Sequence, residues 1–155
     1  MQQVVFYVTA DSPVAIVRNS RNERDADPPC FCGGVPLQFE LVLFKNRHSG
    51  AEPYQLPDDI VSWKWAIDRD FDHSTPVKIE GDNDQISVVQ TAAETRVVVP
   101  CSQMDSQALA DLLGDRPYLS GFIAELVGYD VNEKAVFVIQ IENIKIRNNI
   151  SISGI

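Results

Sequence analysis

Between Ile60 and Asp68 the side chains alternate in character with a period of two, and no other stretch constrains the fold as tightly. Val61, Trp63, Trp65 and Ile67 fall on one side; Ser62, Lys64, Ala66 and Asp68 fall on the other. A strand turns successive side chains to opposite faces, whereas a helix would scatter these four apolar residues around its axis. Tryptophan, isoleucine and valine also fit a pleated surface well. A strand carrying two indoles on one face needs a second layer to cover them, since each large aromatic buries about 150–250 Å².

Other segments supply the partners. Val4, Phe6 and Val8 alternate with Val5, Tyr7 and Thr9, and Val14 to Val17 resumes the strand after Ser12-Pro13. Phe39, Leu41 and Leu43 share a face opposite Gln38, Glu40 and Val42. Short strands are expected at 77–79, 86–90 and 95–99, with a Gly-Asp-Asn-Asp turn at 81–84. The last third reads as Phe122 to Tyr129, a turn at 130–133, Ala135 to Ile141, and alternation through Ile144, Ile146, Ile150 and Ile152. Asn143, Asn148 and Asn149 mark bulges or a corner. One helix of about eleven residues is expected, capped by Ser102 and closed by Gly114, with Met104, Ala108 and Leu112 on one face.

Successive short strands joined by tight turns predict an all-β fold: an antiparallel β-sandwich, immunoglobulin-like or jelly-roll-like, of eight to ten strands with one short α-helix. The 155 residues make one domain, interrupted by a long polar loop at about 18–35. The core is expected to hold Phe39, Leu41, Trp63, Trp65, Ile67, Val97, Val99, Phe122, Leu126, Phe137 and Ile139.

Thirteen Lys and Arg against 22 Asp and Glu give a net charge of −9. That field repels phosphate backbones and anionic lipid, so nucleic-acid binding and membrane insertion are not expected. The N-terminus lacks the basic region and apolar core of a secretory signal, and no run approaches the ~20 apolar residues of a membrane span. The expected location is the cytoplasm during synthesis. Three cysteines, Cys30, Cys32 and Cys101, give no disulfide framework and read as free thiols. A zinc site would have to recruit His48 or His73 from far away in sequence.

Three features bear on function. Asp68, Asp70 and Asp72 alternate as in the first half of a calcium loop, so calcium is the one cofactor in question. The match then fails: His73 stands where glycine is required, and Ile79 holds the twelfth position. An acidic turn that keeps a strand edge from pairing is the plainer reading. Residues 52–84 hold nine acids against three bases, so −6 of the −9 sits in a fifth of the chain. This is a solvated face or a surface for a basic partner. Trp63 and Trp65, with Tyr54 or Tyr129 at the rim, form either a platform for a sugar ring or part of the core; their company with Ile67 favours core. No catalytic motif is present, and no catalytic residue is assigned; a hydrolase using a carboxylate pair is the remaining enzymatic alternative.

Three blocks carry a family likeness: Leu37-Gln38-Phe39-Glu40-Leu41, the run from Trp63 to Phe71 (W-x-W-A-I-D-x-D-F), and Ser120-Gly121-Phe122-Ile123-Ala124-Glu125-Leu126. Together with the strand and helix order between them, residues 36 to 150 resemble the small β-sandwich domains of phage and prophage tails, including N-terminal domains of baseplate and tail-fibre proteins. The resemblance implies a non-enzymatic structural domain, virion-associated after synthesis, with other tail or virion proteins and further copies of itself as partners. A carbohydrate-binding module, with glycan as ligand, is the alternative.

Overall fold

The computed structural model describes residues 2–10, 16–18, 30–45, 52–68, 79–80, 83–101, 107, 110–111 and 113–148. Ten strands lie among them: β1 (Gln2–Thr9), β2 (Ile16–Arg18), β3 (Phe31–Cys32), β4 (Leu37–Phe44), β5 (Ser62–Asp68), β6 (Ile79–Glu80), β7 (Ser87–Gln90), β8 (Thr95–Cys101), β9 (Tyr118–Tyr129) and β10 (Ala135–Arg147). They form two sheets, β2-β1-β4-β8-β7 and β3-β10-β9-β5-β6. The inward faces meet in one apolar core, so the expected β-sandwich is what the chain forms.

Alternation decides which faces meet. Val4, Phe6 and Val8 of β1, Phe39, Leu41 and Leu43 of β4 and Val97 and Val99 of β8 are buried from one sheet. Trp65 and Ile67 of β5, Phe122 and Leu126 of β9 and Phe137, Ile139 and Ile141 of β10 are buried from the other. Trp65 stands at the middle, its ring 5.2 Å from Phe39 and 6.3 Å from Phe6 across the sheet-to-sheet gap. Cys101 is buried in the same core, Cys32 is half-buried and Cys30 is exposed, and none of the three is in a disulfide.

Two pairings differ from the antiparallel expectation. β1 runs parallel to β4, from Gln2↔Leu37 to Thr9↔Phe44, and β3 runs parallel to β10. A parallel pair needs a crossover of about a dozen residues or more, and the chain from Ala10 to Pro36 provides one for β1 and β4. Part of that crossover falls in the segment expected as a loop, yet Phe31 is fully buried and meets the Phe39 ring edge-on at 5.3 Å. A lone phenylalanine between prolines, cysteines and glycines has no periodicity to announce it.

Bulges appear where the small polar residues stand. The β9–β10 register shifts between Ile141 and Ile144 and again before Ile146, where Asn143 (φ 61°) and Gly121 (φ 84°) take left-handed backbone. The β9–β10 turn is built on Asp130, whose Oδ1 accepts the main-chain N–H of Asn132 and of Lys134, both at 2.9 Å. Of the expected helix, Gln107, Ala110, Asp111 and Leu113 are helical, and Gly114 (φ 62°) donates to the Ala110 carbonyl at 3.2 Å. Residues 102–106, its expected start, lie outside the described residues. No helix among those described is long and apolar enough to cross a membrane.

Candidate binding site at the mouth of the sandwich

The two tryptophans share a strand face and diverge in burial. Trp65 is fully buried, while Trp63, one turn of the pleat nearer the end of the sandwich, is half-buried and packs against the core margin. Trp63 faces Gly128 in the β5–β9 register and meets the Phe137 ring edge-on at 5.9 Å. Val61, placed on the same face by the sequence pattern, lies just before the strand and is 65% exposed. The alternation therefore loses its meaning one residue before β5 begins.

Tyr54 reaches the same end of the molecule, with its ring 5.7 Å from Phe137. Its N–H donates to the Leu43 carbonyl at 3.0 Å, and its own carbonyl accepts the Thr95 hydroxyl at 2.8 Å. Tyr129 is opposite Ser62 in register, on the sheet face turned away from Trp63. The structure thus brings Trp63 and Tyr54 together around Phe137 and leaves Tyr129 apart. Asp68 ends β5 at 5% exposure; Asp70 and Asp72 lie outside the described residues. Among the described residues no three His, Cys, Asp or Glu side chains converge as a metal site would require.

Beside Trp63 lies a pocket of about 210 Å³, lined by Leu56, Pro57, Asp58, Ile60, Trp63, Val88 and Gln90. Two stretches distant in sequence make it: the 52–61 loop with the start of β5, and β7. The 52–61 loop is tied at both ends, by Lys45 N–H to the Glu52 carbonyl and Val61 N–H to the Tyr129 carbonyl. Gln90 fastens its middle to β7: Gln90 Nε2 donates to Gln55 Oε1 at 3.2 Å, and Gln90 Oε1 accepts the Leu56 N–H at 3.4 Å. β7 forms the opposite wall, and all four of its residues are exposed. The lining is apolar apart from the Asp58 carboxylate and the Gln90 carboxamide. Asp58 is exposed at the rim, with exposed Asp59 next to it in sequence. Leu56, Ile60, Val88 and Gln90 carried no local signal, because the site arises only when loop, β5 and β7 converge.

Gly128 keeps this wall open. A Cβ there would stand 2.9, 3.1 and 3.2 Å from Ile60 Cδ1, Cγ2 and Cγ1. Gly128→Ala is therefore expected to cost about 1–2 kcal/mol through overpacking, measured by denaturant unfolding. In an Ile60→Ala background, which removes all three crowding atoms, the same change should cost almost nothing. An equal cost in both backgrounds would assign the effect to the backbone instead.

No protein-family model matches the chain, and no curated protein matches it.

Proposed function

We propose that the chain is a non-enzymatic structural and interaction domain of a phage or prophage tail or baseplate assembly, which docks other virion proteins and further copies of itself through shape and surface. The observation behind the reading is the placement of Trp65: it is fully buried between the two sheets, and what the described residues offer to other molecules is loops, exposed carboxylates and a mainly apolar pocket. A net charge of −9 suits cationic partner surfaces and opposes binding to nucleic acid. Light scattering across a wide range of concentration, with co-sedimentation against purified tail particles, tests it. Masses of two or more chains and entry into the tail pellet are expected. A monomer at every concentration that stays in the supernatant rejects the reading.

The second reading, a carbohydrate-binding module, draws on the half-buried Trp63 with Asp58 and Gln90 beside it. A glycan array with and without calcium tests it, and silence on the array together with an indole at position 63 shielded from quenchers removes it.

A further inference from the structure

The outward edge of β7 and the pocket under it belong to one surface. Thr91 N–H bonds to the Glu94 carbonyl at 2.8 Å, which makes Thr91–Glu94 a hydrogen-bonded pair of the β7–β8 hairpin. The pairs that follow are Gln90↔Thr95, Val89↔Arg96, Val88↔Val97 and Ser87↔Val98. Hydrogen-bonded and non-hydrogen-bonded pairs alternate along an antiparallel ladder. Val89 and Ser87 therefore spend their main-chain groups on β8, while Val88 and Gln90 turn theirs outward. No described residue bonds to those outward groups. Val88 and Gln90 are also the two β7 residues whose side chains line the pocket with Trp63.

At four residues β7 is short, which itself limits edge pairing, but it has no other device that blunts an edge. It has no charge, no proline and no bulge, and Val88 and Val89 are 38% and 49% exposed. An added antiparallel strand hydrogen-bonded to Val88 or Gln90 would place the residue opposite on the same face, above the pocket. The pocket's own carboxylate, Asp58, is exposed, as is its neighbour in sequence Asp59. The nearby cation of the ladder, Arg96, is held by Glu40 and Glu94. Charge complementarity selects the occupant.

We infer that β7 accepts an extended peptide segment by strand addition, with one bulky apolar side chain seated in the pocket of Trp63 and Ile60 and cationic residues beside it facing Asp58 and Asp59. The inference rests on the reading of the chain as an interaction domain; it does not depend on the virion setting. Such strand addition takes affinity from main-chain bonds and specificity from alternate side chains.

The test is selection of a displayed library of random dodecapeptides on the purified chain, followed by titration of the winners. Sequences with a bulky apolar residue flanked by lysine or arginine are expected, and their binding should change the fluorescence of Trp63. Val88→Pro removes one outward N–H and spares the bonds to β8, so it should weaken the selected peptides at least tenfold. Asp58→Lys, an exposed change that leaves the ladder intact, should weaken them about fivefold and flatten the salt dependence. No enriched peptide, acidic winners, or equal binding by folded Val88→Pro and Asp58→Lys chains would overturn the inference. Saturable glycan binding at Trp63 that survives Val88→Pro would overturn it in favour of a sugar site. A chain that binds the peptides yet stays monomeric and out of the tail pellet loses the virion reading alone; one that pellets with tails but ignores the peptides loses this inference alone.

Discussion

Trp65→Ala is expected to destabilise the protein by about 3–5 kcal/mol. The indole is fully buried and touches both layers, with Phe39 at 5.2 Å and Phe6 at 6.3 Å. Its removal forfeits the transfer energy of a large ring and leaves a void between two hydrogen-bonded sheets, which cannot collapse freely. A domain of this size has about 5–15 kcal/mol to lose, so the variant is expected to be marginal at 37 °C. Denaturant unfolding measures it. Trp63→Ala, at a half-buried ring on the margin, should cost clearly less, and Trp65→Phe should fall between. A cost below about 1 kcal/mol for Trp65→Ala would place that ring outside the core.

The contrast between the two rings shows what a linear sequence can hold. Period two put Trp63 and Trp65 on one face, and both do pack toward the same core. It carries no information about where along the strand the covering layer stops, and that limit decides that one ring is enclosed while the other borders a pocket. Local chemistry was legible elsewhere for the same reason: Asp130 marks a turn through its own main-chain bonds, and Asn143 marks a bulge because it tolerates left-handed backbone. The parallel β1–β4 pair was not legible, since parallel and antiparallel neighbours demand the same alternation. Phe31 was hidden because it stands alone between prolines, cysteines and glycines, and the pocket at β7 needed a loop and strands from two separate stretches. The acidic surplus at 52–84 was visible from the start; only the fold shows that Asp58 borders the pocket beside the exposed edge.

The outward face of the first sheet holds the second large effect. Glu40 is 8% exposed, on the face of β4 away from the core, where a lone carboxylate would be costly. Arg96 answers it from β8. Arg96 sits diagonally across the ladder, its pair in register being Val42. One guanidinium nitrogen donates to Glu40 Oε1 at 2.8 Å, and two others donate to the two carboxylate oxygens of Glu94 at 3.2 and 2.9 Å. The hydrogen bonds that Arg96 donates to Glu94 and Glu40 hold its proton well beyond the ordinary guanidinium range, against the opposing pull of burial. A raised folded-state pKa contributes stability fully below the unfolded value and loses it only as pH climbs past the folded one. The contribution of Arg96 is therefore expected to stay constant across the whole working range. Arg96→Met should cost about 2–3 kcal/mol, because it strands the Glu40 carboxylate; water reaching the quarter-exposed arginine keeps the figure below that of a fully buried pair. The cost should be flat between about pH 7 and pH 10, where guanidinium does not titrate. Replacing both partners, Glu40→Leu with Arg96→Met, should recover most of the loss, since two apolar side chains leave no stranded charge. If the double variant instead shows the sum of two large single costs, the pair is not coupled, and the carboxylate at position 40 is held by something other than Arg96.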